Sequence, residues 1–162
     1  MERSDYLDLA CLAYATRRSG RAITNLFNGR MAELELNVAQ FGLLTAVAKM
    51  PGATLAAIGE AMLIDESTLA RNFLVMERRG LVAAKGGRGR GGKHVRLTPA
   101  GAKLHAEALI VWRATNRKLT SALGNDETAA GRAFLRSLGE VAERLQTEEA
   151  AATMRRRLKA EV

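Results

Sequence analysis

The stretch Asp65-Glu66-Ser67-Thr68-Leu69-Ala70-Arg71-Asn72, continued through Met76-Glu77-Arg78-Arg79-Gly80-Leu81-Val82 to Val95-Arg96-Leu97-Thr98-Pro99, decides the fold. Asp65 has the side chain that caps a helix N-terminus, and Leu69, Phe73 and Met76 then fall at i, i+4 and i+7. That spacing predicts a helix over residues 66–79 with one buried stripe, closed by Gly80 with Leu81 supplying the apolar contact beyond the cap. Leu81 to Ala84 reads as a short strand, and His94-Val95-Arg96-Leu97 alternates polar and apolar as a half-exposed return strand does. Between them, residues 85–93 hold five glycines and four basic side chains with no acid and no apolar residue. The product is a β-hairpin with a long cationic tip. Thr98-Pro99 starts the next helix, with proline at its first position.

Upstream, Thr54 caps a short third helix over residues 55–62, placed after the Pro51-Gly52 break. Asn37 caps a second helix carrying Val38, Phe41, Leu44 and Val47. A long first helix runs from about residue 4 to 34 without proline. Downstream, a fifth helix reaches about Leu123, Gly124-Asn125 breaks it, and Asp126 restarts a sixth. In the sixth helix Phe134, Leu138, Val141 and Leu145 repeat the 4, 3, 4 spacing of a coiled-coil seam. The expected class is mainly α with a small β-hairpin wing (α+β): a winged helix-turn-helix with a helical dimerisation region. The expected divisions are 1–34 for an N-terminal dimerisation helix, 35–98 for the winged helix-turn-helix and 99–162 for C-terminal dimerisation helices.

Composition agrees with that class. The 162 residues include 29 Ala and 22 Leu against two Pro, which favours helices over loops. A single cysteine excludes an intramolecular disulfide framework and a cysteine-based zinc finger. No apolar run reaches the roughly 18 residues of a membrane span, and no secretory leader is recognisable, so a cytoplasmic location is expected. The net charge is +8, of which residues 65–103 supply +6 from nine basic and three acidic side chains. Charge packed so densely is the electrostatic footprint of a polyanion-binding surface.

A short capped helix, a turn, a second capped helix and a basic hairpin form, in that order, the arrangement that lays one helix in the DNA major groove. On the fourth helix the buried stripe leaves Ser67, Thr68, Arg71 and Asn72 for base edges and phosphates. Lys85, Arg88, Arg90 and Lys93 belong to the wing, where an arginine can enter a narrow minor groove. No paired carboxylates, Ser-His or Cys-His spacing supports an enzyme. The glycine-rich stretch feeds a strand, not a helix, so it lacks the context of a phosphate loop. Two alternatives stand beside DNA reading: a winged helix used for protein interaction or nonspecific nucleic-acid binding, and a cysteine-based redox-sensing repressor.

With these residues the chain resembles the MarR family of winged-helix regulators over nearly its whole length. The resemblance rests on Cys11-Leu12-Ala13-Tyr14 through Arg21-Ala22-Ile23-Thr24, on Val38 to Val47, and on the stretches quoted first, extended by Ala100-Gly101. It implies an intertwined homodimer, repression through double-stranded DNA at a pseudo-palindrome, and relief by a small aromatic or phenolic ligand or by cysteine oxidation. Gly89-Arg90-Gly91 stands where the family's wing carries Asp-x-Arg, and Glu66 stands where a basic residue is common. The reactive cysteine of the hydroperoxide-sensing branch aligns with Ala13, so Cys11 is expected to be a buried packing residue. No cofactor or metal is expected: His94 and His105 are expected on the wing and on a helix surface. Arg17, Arg18 and Arg21 suit intersubunit ion pairs or phosphates, or an anionic ligand. The sequence names no effector.

Overall fold

The computed structural model describes residues 11–86 and 93–160. Among the described residues six helices and two strands follow in order: α1 Leu12–Met31, α2 Val38–Lys49, α3 Leu55–Met62, α4 Glu66–Arg78, β1 Val82–Lys85, β2 His94–Leu97, α5 Pro99–Leu123 and α6 Asn125–Ala160. A 3₁₀ turn, Ala32–Leu34, follows α1. The chain divides into two compact units, Met1–Thr115 and Asn116–Val162.

The starts of α2, α3 and α4 are each built by a side chain. Asn37 accepts from the Gln40 backbone at 2.9 Å while the Gln40 side chain accepts from the Asn37 backbone at 3.1 Å, a reciprocal capping box. Thr54 accepts from the Ala57 N–H and Asp65 from the Thr68 N–H. At the far end of α4, Gly80 sits at φ 68°, its N–H bonds to the Glu77 carbonyl and the Leu81 N–H reaches back to Met76 at 2.9 Å. This is a complete Schellman closure, and Leu81 is buried beyond it.

The hairpin is antiparallel, pairing Val82 with Leu97, Ala83 with Arg96, Ala84 with Val95 and Lys85 with His94. The observed first strand lies one residue later than the apolar run suggests, because Lys85 keeps its ladder partner. Residues 52–55 add a short third edge: Gly52 N–H bonds to the Val95 carbonyl at 3.0 Å, Val95 N–H to Ala53 at 3.0 Å, and Leu55 N–H to Lys93 at 3.1 Å. Sequence reading treats Pro51-Gly52 only as a helix stop and misses this pairing, which carries no side-chain signal.

Phe27, Met31, Phe41, Leu44, Val47, Ile58, Leu69, Phe73, Met76, Val82 and Val95 are buried together in the first unit. Trp112 stacks on Phe41 with ring centres 6.2 Å apart and lies 6.5 Å from Phe27. His105 is not the surface histidine expected. It is half-buried, stacked on Phe41 at 5.9 Å, with Nε2 3.2 Å from Thr45 Oγ1. Thr45 spends its own proton on the Phe41 carbonyl at 2.8 Å, so the neutral imidazole donates to Thr45. Cys11 is likewise a correction: it is exposed, at the N-cap position of α1 rather than on its packed face. Helix α6 begins at Asn125, since Gly124 alone, at φ 94°, makes the break. The first helix is described only from Leu12, so its expected start near residue 4 lies outside the described residues.

Two outcomes follow from this packing. A β-carbon at Gly101 would overlap the Leu81 carbonyl oxygen, which is backbone and cannot swing aside. Gly101→Ala is expected to destabilise the protein by at least ~2 kcal/mol in urea denaturation. Burial holds the His105 pKa below its ordinary 6.5, so the unfolded chain binds this proton first as pH falls. The contribution is therefore full above pH 6.5 and is lost below it. The melting temperature should drop from pH 7 to 5 with a smaller drop in His105→Gln.

Candidate nucleic-acid interface

Helix α4 presents Ser67, Arg71, Leu74 and Arg78 to solvent at spacings of 4, 3 and 4, opposite its buried Leu69, Phe73 and Met76. Of the four residues singled out from sequence, Ser67 and Arg71 are exposed, whereas Thr68 and Asn72 are half-buried on the flank. Sequence reading passed over Leu74 and Val75, both exposed. The helical phase that buries Phe73 and Met76 is the signal that would have found them.

The polar residues are joined to the helix cap. Asp65 Oδ1 accepts from Ser67 Oγ at 2.7 Å and from Thr68 N–H at 2.8 Å. Arg71 donates through Nε to the Ser67 carbonyl at 3.2 Å and through Nη2 to Thr68 Oγ1 at 3.1 Å, and Asn72 donates to the Thr68 carbonyl at 3.0 Å. The Ser67 hydroxyl and then the Thr68 groups hold the Asp65 carboxyl at a pKa of about 2, so the network stays ionised throughout the neutral range.

The wing base carries its cations outward. Lys85 and Lys93 are exposed, as is Arg96, which alternates with buried Val95 on β2. Arg96 is a cation the sequence reading left off its list of contacts. Arg88 and Arg90 lie outside the described residues. His94, on the wing as expected, is exposed, and its Nδ1 donates to the Gly52 carbonyl at 2.7 Å, reinforcing the third edge. Helix α4 and the wing base are thus parts of one hydrogen-bonded body, and an anion meeting one meets the other in a fixed relation. At the other end of α4, Arg79 donates to the Glu35 carbonyl at 2.6 Å and pairs with its carboxylate at 3.6 Å, so this arginine is committed to the fold.

Elsewhere in the first unit, Tyr14, Arg17, Arg18 and Arg21 surround a recess of about 280 Å³ on α1. Among the described residues no group of three or more His, Cys, Asp or Glu side chains is placed to hold a metal, and no helix is long and apolar enough to cross a membrane.

A family model described as "MarR family" matches residues 34–91, the segment from the 3₁₀ turn to the wing. No curated protein matches the sequence as a relative. Solved structures do. The Mycobacterium tuberculosis transcriptional regulator MosR, in complex with DNA, is 27% identical with a TM-score of 0.73, covering 82% of this chain and 96% of its own. The PcaV transcriptional regulator from Streptomyces coelicolor, with its natural ligand, is 26% identical with a TM-score of 0.74, covering 82% and 94%. MepR from Staphylococcus aureus, bound to DNA, shares the fold at 18% identity and a TM-score of 0.70, covering 82% and 97%.

Proposed function

We propose, from the premise that this chain is a MarR-family winged-helix transcriptional regulator, that it binds a pseudo-palindromic operator as a homodimer and represses until a small ligand releases it. The observation that carries the reading is the pairing of exposed Ser67 and Arg71 on a capped helix with exposed Lys85, Lys93 and Arg96 on a wing bonded to the same unit. Phosphate contacts from the basic segment of the wing, to which Arg88 and Arg90 belong in sequence, supply affinity. Ser67, Thr68, Arg71 and Asn72 supply base readout, Arg71 through the forked geometry that suits guanine. The DNA complex of MosR supports this reading.

Dimerisation is supported by apolar surface that is left exposed among the described residues of a single chain. No described residue of α6 is buried, and Phe134, Leu135, Val141, Leu145 and Met154 are exposed along it. In the first unit Leu12, Ile23 and Leu26 of α1 and Ile110 of α5 are exposed too. Surface of this kind marks an interaction site, and a symmetric second copy satisfies both members at once. Ligand release is supported by PcaV, crystallised with its natural ligand, and by the arginine-lined recess on α1, which suits an anion. The cytoplasm, where operator DNA lies, is the location this function requires.

Selection from random duplexes should enrich a two-fold symmetric sequence; absence of any enrichment would replace this reading with nonspecific binding or protein interaction. On the enriched site, Arg71→Ala is expected to lose ~1–3 kcal/mol of binding free energy. Lys85→Ala and Lys93→Ala should each reduce the slope of log affinity against log salt by about 0.9 while weakening all sequences alike. In sedimentation, the parent should run as a dimer, and the double change Leu138→Glu with Leu145→Glu should give a monomer that keeps its helical signal.

A further inference from the structure

Beyond its first turn, α4 exposes four side chains: Arg71, Leu74, Val75 and Arg78. Leu74 is 45% exposed and Val75 42%. A single exposed apolar side chain is ordinary on any helix. These two are adjacent, stand between two arginines, and have no exposed acid beside them on the later turns of α4.

Neither packing nor helix formation calls for the pair. Leu69, Phe73 and Met76 already supply the buried stripe on the opposite side of α4. A β-branched valine is also a weaker helix former than the Ala, Lys, Gln or Glu that would serve at a solvated position. Arg71 leaves both side chains bare. Its guanidinium turns back toward the helix start, donating to the Ser67 carbonyl and to Thr68 Oγ1, whereas Leu74 and Val75 lie three and four residues further on.

Two cations without an exposed acid suit a polyanion, so the surface that meets this face is the duplex of the operator reading, on which the following inference rests. Leu74 and Val75 have no atom that can donate or accept a hydrogen bond. The edges of the base pairs in the major groove offer donors, acceptors and one apolar group, the C5 methyl of thymine. Against a G·C pair the two side chains would strip water from polar edges and give nothing back. We infer that Leu74 and Val75 are specificity-determining residues that select thymine in each half of the operator by packing on its C5 methyl. The polar residues of α4 then discriminate through hydrogen bonds, and this pair discriminates through shape and desolvation.

The test exchanges thymine for deoxyuridine, one position at a time, in the sequence that selection from random duplexes enriches. The exchange deletes one methyl group and keeps every base pair, donor and acceptor. Fluorescence anisotropy with the parent protein should find one or two positions in each half-site where affinity falls about fourfold, the worth of one buried carbon. In the double variant Leu74→Ala with Val75→Ala, thymine and deoxyuridine should bind alike at those positions. Its melting temperature should not fall below the parent's, because both side chains are exposed. A selection that enriches no sequence removes the operator reading and this inference together. An enriched site indifferent to every thymine methyl, or a methyl dependence that survives in the double variant, overturns this inference and leaves the operator reading standing.

Discussion

The carbonyl of Leu81 is where α4, the wing and the start of α5 are fixed to one another. Thr98 N–H bonds to it at 3.1 Å and Thr98 Oγ1 lies 3.3 Å away, while the same hydroxyl donates to the Gly80 carbonyl at 2.6 Å and accepts from Gly101 N–H at 3.0 Å. One threonine thereby caps α5, closes the end of α4 and seats the start of β1. Gly101 is required because the carbonyl occupies the space of a side chain. Since the strand leaving this junction is half of the wing, the join between wing and α4 rests on backbone contacts together with the Thr98 hydroxyl. The third edge at residues 52–55 then ties α3 to the same hairpin.

Much of this was legible in the sequence because caps and closures are local chemistry. Asn37, Thr54, Asp65 and Gly80 each act within a few residues of themselves, as does Thr98 in capping Gly101 N–H, and each does there what its type predicts. The buried stripe of α4 was legible for the same reason, as helical phase is a local property. What escaped is contact between distant segments. His105 looked like a surface residue until α2 brought Phe41 and Thr45 against it. The pairing of residues 52–55 with 93–95 joins a turn to a strand some forty positions away, through backbone bonds that the His94 side chain only reinforces. Cys11 failed in the other direction: an apolar-looking neighbourhood in sequence does not bury a residue at a helix boundary.

Helix α6 shows the same limit at larger scale. Its 4, 3, 4 spacing announced a seam, and the seam exists as a row of apolar side chains, of which Leu138 is half-buried and Phe134, Val141 and Leu145 are exposed. A helix of 36 residues with this pattern gains most of its stability from whatever covers that face. The physical content of the seam is therefore a demand for a partner, and the homodimer proposed above is the arrangement that meets it with no further component.

The polar face of α4 carries a different kind of constraint. Arg71 does not wait free in solvent; two of its donors are engaged with Ser67 and Thr68, and Ser67 and Thr68 are themselves bonded to Asp65. Reading a base edge with Arg71 would exchange those internal bonds for external ones, so the net gain is a difference between two hydrogen-bonded states. In the proposed complex that exchange would lower affinity for any duplex and leave discrimination to the sites where it is geometrically complete. Asp65 would then act on such readout without touching DNA, since its carboxylate holds the Ser67 hydroxyl and the Thr68 N–H of the two residues to which Arg71 donates.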